Sequence, residues 1–352
     1  MNFRHRSLSP LGEGANSSAH ETIIEPHYQK PLVSVVLPVR NGGAYFKGSL
    51  DSILNQTFKN FELIIVDDGS SDGSRELALR ESVRDLRIQV HANPGQGLVD
   101  ALNHGVRSAR AQIIARMDAD DISHPDRLQR QWDYLQLHPD VAVVGTQINT
   151  IDHLGMRRGT RSNFPCKPEL VSFALMARGC VVKHPTVMAR KAALIDVGLY
   201  RSIMKDAEDY DLWLRVSEKY QISNMPDVLL DYREHDGQIS RDDNVSQKLS
   251  HVLALISARR RRAGVDEPII NVRAKQISVD TDPEISTLLR VSALTHDVLR
   301  GNFCNCPRFL LQTLERYPAF TRHFRRKIKR MILCQLLWKF EFRKLLHIYF
   351  IK

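Results

Sequence analysis

Strong patterning begins at residues 32–39, where Leu-Val-Ser-Val-Val-Leu-Pro-Val makes an apolar, β-rich run of strand length. Bounded by Arg40-Asn41-Gly42-Gly43, it predicts a strand buried on both faces and a strand-to-helix turn. Phe46, Leu50, Ile53 and Leu54 then recur at helical spacing and predict a helix over 45–55. A second strand over 61–66, a helix over 74–82 and a third strand over 87–91 complete a β-α-β-α-β series. That alternation is the pattern of a parallel sheet with right-handed crossovers.

The rhythm continues with a helix over 97–108 and a short strand over 111–115. A helix over 125–138 opens on Pro125 and carries Leu128, Trp132 and Leu135, and a buried strand follows over 141–145. Residues 146–178 leave strand and loop alternatives open. Further on, 184–188 reads as a strand, 191–197 and 208–220 as helices, and 221–233 as strand and turn. From 246 onward the pattern is helical, with the Arg259 to Arg262 run on an exposed face and a boundary near Asn244. The expected organisation is a disordered leader over 1–30, an α/β domain over 31–244, a helical extension over 245–321 and a basic tail over 322–352.

Charge adds one feature to this picture. The formal net charge is +10, and ten Lys or Arg against one Glu lie between Arg322 and Lys352. The rest of the chain is therefore close to neutral. In the tail, basic residues interleave with apolar ones; Ile328, Ile332, Leu336 and the 339/340 pair recur at helical spacing, and Trp338 and several Phe are available for the headgroup region. This is the composition of an interfacial amphipathic helix and predicts association with an anionic membrane surface. The five cysteines are scattered, so no disulfide framework is implied and a reducing, cytoplasmic compartment fits. Residues 1–30 lack the apolar core of a signal peptide, and no apolar run reaches the ~18–20 residues of a spanning helix.

Acidic residues gather where strands end. Asp118-Ala119-Asp120 follows the run Ile113-Ile114-Ala115, and Asp121 adds a third carboxylate. Isolated Asp-x-Asp triplets are mostly solvated turns. Two carboxylates spaced i, i+2 at a strand end, however, reach one hard cation of the Mg²⁺ or Mn²⁺ kind. Asp67-Asp68 ends another strand, beside the good helix cappers Ser70, Ser71 and Asp72; a cap and a ligand contact are compatible there, with Asp72 or a Ser capping and Asp68 facing ligand. Glu208-Asp209-Tyr210-Asp211-Leu212-Trp213 opens a helix. Acids there favour the helix dipole, and they are also placed for general-base work.

Together these segments resemble the family 2 inverting glycosyltransferases with the GT-A fold, of bacterial surface-polysaccharide type. The resemblance covers about 31–240. It is carried by Val-Ser-Val-Val-Leu-Pro-Val-Arg-Asn-Gly over 33–42, Gln56-Thr57-Phe58 and the strand ending in Asp67-Asp68-Gly69-Ser70. Asn93-Pro94-Gly95-Gln96-Gly97, Leu102-Asn103-His104-Gly105, Met117-Asp118-Ala119-Asp120-Asp121, His184-Pro185-Thr186-Val187-Met188 and the Glu208 to Trp213 segment complete it.

The resemblance implies a Rossmann-like, mostly parallel central sheet flanked by helices, and a hexosyltransferase activity. Pro38, Arg40, Asn41 and Gly95 would border the donor nucleotide, and Asp68 with Asp67 would read its base. Asp118 would serve ribose and metal, Asp120 would bind the Mn²⁺ or Mg²⁺ ion, and His235 would touch metal or diphosphate. Asp209 would be the catalytic base, with Glu208 and Trp213 on the acceptor side. The donor would be a nucleoside-diphosphate sugar, expected to be a UDP-sugar, and the acceptor a hydroxyl of a glycan or lipid-linked glycan. The expected location is the cytoplasmic face of the cell membrane. The chain lacks the Gln-x-x-Arg-Trp segment of processive relatives, which favours single addition.

Two other readings compete. A sugar nucleotidyltransferase would also use acidic pairs and metal, but Arg40-Asn41-Gly42-Gly43 is short for its phosphate loop. A basic nucleic-acid-binding protein would explain the arginines, yet the chain before the tail is near neutral with acidic strand ends. No nucleic-acid partner is expected.

Overall fold

The structure is a computed structural model and describes residues 30–204, 206–235, 238, 245–265 and 267. The leader and the basic tail of the sequence reading lie outside these residues.

Four strands, β1 (Val33–Val39), β2 (Phe61–Asp67), β3 (Ile88–Ala92) and β4 (Ile113–Arg116), form a parallel half-sheet. The connecting helices are α1 (Gly43–Leu54), α2 (Ser74–Arg84) and α3 (Gly97–Ser108). Every residue of β1 and β2 is buried, which explains their unbroken apolar character. The strand period of two sends neighbours to opposite faces. Val36, Ile64 and Val66 join one core layer, while Val35, Leu37, Leu63 and Ile65 join the other.

The second half is mixed. Its elements are β5 (Ile122–Ser123), α4 (Arg127–Leu137), β6 (Val141–Ile151), β7 (Arg157–Arg161), α5 (Pro168–Arg178), β8 (Met188–Arg190), α6 (Lys191–Asp196), α7 (Glu208–Lys219), β9 (Gln221–Arg233) and α8 (Val245–Arg262). The strand order is β3-β2-β1-β4-β8-β6-β9-β5, with β7 paired to β6. The chain steps from β1 to β2 and β3 on one side, then returns to place β4 on the other. That reversal makes a topological switch point between β1 and β4, where open α/β sheets leave a crevice for ligands.

Three parts of the sequence reading change. Residues 146–178, left open above, hold the rest of β6, then β7 and the helix α5. Residues 184–188, read as a strand, form a 3-10 turn at His184–Thr186, and the strand starts at Met188. Pro185 lacks the N–H a ladder needs, which accounts for the shift. The Arg259 to Arg262 run is also no free basic face, because Arg261 pairs with Glu218 at 2.8 Å and with Glu267 at 3.1 Å. Leu253, Ala254, Ile256 and Ala258 of α8 share the core layer of α7, so this core continues past Asn244.

Candidate active site

The crevice is built from strand ends. Pairing of β1 with β4 stops at Val36 and Arg116. Pro38 lies two residues beyond, where its missing N–H is owed to no partner on the β4 side. Asn41 adopts φ 52 in the loop after β1. Its N–H donates to Ser70 Oγ at 3.0 Å, and its Oδ1 accepts from Ser71 N–H at 2.8 Å. Asp72 reaches back to cap α1, accepting from Gly43 N–H at 2.8 Å, and also accepts from Ser74 N–H at 3.0 Å. Asp72 is thus the capping acid of its cluster, and it ties two loops together.

Asp68 accepts from Asn93 Nδ2 at 2.7 Å and from Gly97 N–H at 3.0 Å, while the Arg40 guanidinium stands 3.6 Å from its Oδ2. Its carboxylate therefore sits over the positive N-terminus of α3. Asp67 is buried; one oxygen accepts from Ser70 N–H at 3.1 Å and the other, Oδ2, has Arg75 at 3.6 Å but no hydrogen bond. Gly95 has no room for a side chain, since a Cβ there would come within 2.3 Å of Asp100 Oδ2.

At the end of β4, Asp118, Asp120 and Asp121 offer oxygens that all lie within 4.8 Å of one another. Burial, then the Asp118 charge, pushes the Asp120 carboxyl above its ordinary range, and the same causes push Asp121 well above it. Arg116, buried at the end of β4, forms an ion pair with Asp118. Asp121 accepts from Arg233 N–H at 2.8 Å through Oδ1, while its Oδ2 is buried with no hydrogen-bond partner. Nε2 of His235 lies 3.0 Å from Asp120 Oδ2, and its ring packs on Tyr45 at 4.8 Å. An unsatisfied buried carboxylate oxygen in an all-oxygen cluster with one imidazole alongside fits a hard divalent cation.

The acidic start of α7 forms the far wall. Glu208 is buried, and desolvation, followed by the charge of Asp209, pushes its carboxyl up to about 7. Asp209 accepts from Tyr210 N–H at 2.6 Å and from the Cys180 thiol at 3.7 Å. Lys183 stacks over the Tyr232 ring at 4.3 Å. Burial opposes its charge, but Tyr232, Cys180, Asp209 and Asp121 hold its pKa above the usual lysine value. Trp213 departs from the acceptor-side expectation. It is fully buried in the core against His184, with ring centroids 6.0 Å apart, and so offers no exposed surface to an acceptor.

The structure thus brings Asp118, Asp120 and His235 together, and Asp67, Asp68, Arg40 and Asn41 around the loops after β1 and β2. Arg116, Lys183 and Arg233 were not singled out from the sequence. For Arg116 a signal existed: a charged residue closing the apolar run Ile113-Ile114-Ala115.

This site sits on a GT-A scaffold. The glycosyl transferase family 2 model matches residues 34–197. The Bacillus subtilis protein named "Putative glycosyltransferase EpsE" is 35% identical over 238 residues, covering 66% of this chain and 83% of that protein. The O-antigen biosynthesis glycosyltransferase WbnJ of Escherichia coli is 34% identical over 209 residues, covering 58% and 80%. Among solved structures, S. aureus TarS 1-349 in complex with UDP-GlcNAc superposes with a TM-score of 0.53 at 18% identity, over 74% of this chain and 79% of that one. The chain belongs to glycosyltransferase family 2 and is a glycosyltransferase.

Proposed function

We propose that the protein moves a sugar from a nucleoside-diphosphate sugar to a hydroxyl of a glycan or lipid-linked acceptor, with inversion at the anomeric carbon, in surface-polysaccharide assembly. The observation that carries this reading is the cluster of Asp118, Asp120 and Asp121 at the switch point, with His235 against Asp120. The O-antigen role of WbnJ supports the polysaccharide context, and the UDP-GlcNAc held by TarS supports a UDP-sugar donor.

In this reading Pro38, Arg40, Asn41 and Gly95 border the nucleotide. Asp68, with Asp67 behind it, reads the base through the edge near Arg40, since Asn93 and Gly97 already occupy the rest of its carboxylate. Asp118 serves ribose and metal, and Asp120 with His235 holds Mn²⁺ or Mg²⁺. A divalent ion bound there supplies Lewis-acid stabilisation to the departing diphosphate. The acceptor hydroxyl attacks opposite the diphosphate, and no covalent enzyme nucleophile is needed.

Asp209 takes the hydroxyl proton in the first version of this mechanism. A second version gives that task to Glu208, because a carboxyl raised to about 7 is matched to proton transfer near neutral pH. The enzyme would work at the cytoplasmic face of the membrane, its basic tail against anionic lipid.

The test is a panel of nucleotide sugars with Mn²⁺ and a hydroxyl acceptor. UDP release with formation of an inverted glycosidic bond is expected. Pyrophosphate release would instead identify a nucleotidyltransferase and overturn the proposal.

A further inference from the structure

Between β6 and β7 the chain turns through Asp152-His153-Leu154-Gly155-Met156, and this tip carries two of the large apolar side chains most open to solvent. Leu154 is 74% exposed and Met156 66%. Arg157 and Arg158 follow directly, and Arg161 closes β7, all exposed. Folding onto the core does not account for this pattern, because neither apolar residue packs against it.

The tip is closed by its own hydrogen bonds. Asp152 Oδ1 accepts from both Leu154 and Met156 N–H at 2.9 Å. Asp152 N–H donates to Met156 O at 3.0 Å, and Gly155 N–H donates to Asp152 O at 3.0 Å. Gly155 takes φ 84, which lets the turn close this tightly. Backbone groups that already have partners lose little on leaving water, so the turn can enter a poorly hydrated layer at low cost.

Charge selects the kind of surface. Two acids beside the tip are committed, Asp152 to the turn and Asp231 to Asn149 Nδ2 at 3.0 Å with Arg157 at 3.8 Å, while Glu234, whose N–H donates to Ile151 O at 2.8 Å, leaves one carboxylate against the two arginines. Arg157 and Arg158 follow the apolar pair directly and are exposed, whereas Arg161 donates to Pro226 O; long arginines keep their heads at phosphate level while their stems lie along apolar surface.

We infer that the β6–β7 tip is a membrane-docking element that sets Leu154 and Met156 into the headgroup layer of an anionic bilayer, with Arg157 and Arg158 on lipid phosphates. One residue connects the tip to the acidic cluster. Arg233 Nη1 donates to Asp152 O at 3.0 Å, and its Nε donates to Asp120 O at 2.8 Å. Docking would hold the crevice beside the bilayer, where a lipid-linked acceptor would be presented. The inference deepens the membrane part of the functional reading, but its test reads lipid partition and not turnover, so the two fail separately.

The experiment uses the full chain with vesicles of phosphatidylcholine and phosphatidylglycerol. In L154W the added tryptophan should shift to the blue and be quenched by brominated lipid beyond the quenching of the wild type. L154E/M156E should lower partition roughly tenfold, and R157Q/R158Q should do so on anionic vesicles alone. L137E, at another singly exposed apolar site, should leave partition unchanged. A tip tryptophan that stays solvent-exposed and unquenched, or a double glutamate variant that binds like the wild type, overturns the inference.

Discussion

Nε2 of His235 lies 3.0 Å from Oδ2 of Asp120 although 115 positions separate them in sequence. The contact joins the chain just after β9 to the end of β4 and places one imidazole on an oxygen-rich cluster. Asp120→Asn should lower transfer by roughly 10²- to 10³-fold, because it removes a ligand charge. His235→Ala should raise the Mn²⁺ concentration needed for half-maximal activity by about 10- to 100-fold. Added Mn²⁺ should raise Tm of the wild type and not of Asp120→Asn, through ligand linkage to the folded state. Activity that survives EDTA, or equal thermal shifts in both proteins, would remove the cation from the mechanism.

Glu208 and Asp209 can be separated by pH. Glu208 is raised from 4.5 to about 7 in the folded protein, so the folded state binds more protons than the unfolded state between those values. Its carboxyl therefore costs stability as pH rises from about 4.5 through about 7. Glu208→Gln should stabilise the protein at pH 8 and leave Tm nearly unchanged at pH 4.5. If Glu208 is the base, kcat should rise with pH through about 7, and the Gln variant should lose both the rise and the turnover. If Asp209 is the base, Asp209→Asn should abolish turnover with donor affinity intact, while Glu208→Gln keeps a measurable rate.

The sequence made some elements plain and hid others for identifiable reasons. β1, β2 and β4 announce themselves because both faces are buried. Residues 146–151 do not, because Gln147 interrupts the apolar run. Its amide is nonetheless buried, donating to Phe164 O and Met225 O and accepting from Phe164 N–H. α5 stays hidden because Leu170 and Phe173 face outward, at 53% and 63% exposure, which blurs its apolar stripe. In the site, the Asp118-Ala119-Asp120 spacing was readable locally. The Arg233 contacts to Asp120 and Asp121 were not, since they exist only once β9 lies across from the end of β4.

Gly105 has a purely steric reason to be glycine. A Cβ at this position would meet Cγ1 of Val36 at 2.4 Å, where α3 presses on β1. Gly105→Ala should cost about 1–3 kcal/mol by forcing the helix off the strand. Thermal or urea unfolding would register the loss, and donor KM of the folded fraction should hold. A variant as stable as the wild type would mean the contact relaxes freely.

Asp211 and Asp209 are two residues apart, yet opposite outcomes are expected for them. Asp211 is completely buried. Arg201 Nε donates to it at 3.0 Å and Arg215 Nε at 2.9 Å, and Arg215 also holds Leu199 O at 2.6 Å. The carboxylate thereby fixes α7 to the segment leading into it. Replacing it by Asn removes the counter-charge of two guanidiniums and turns an amide N–H₂ toward one of them. Breaking a buried pair in this way costs about 3–5 kcal/mol. Asp211→Asn should therefore lower Tm by roughly 10 °C. Asp209→Asn, with its oxygens on its own helix turn and on Cys180, should melt within a degree or two of the wild type. Parallel melting curves and single-turnover rates separate the cases: low Tm with the rate retained in the folded fraction for Asp211→Asn, and normal Tm for Asp209→Asn, with the rate lost if Asp209 is the base. If Asp211→Asn melts like the wild type, the arginine pair does not hold α7 in place.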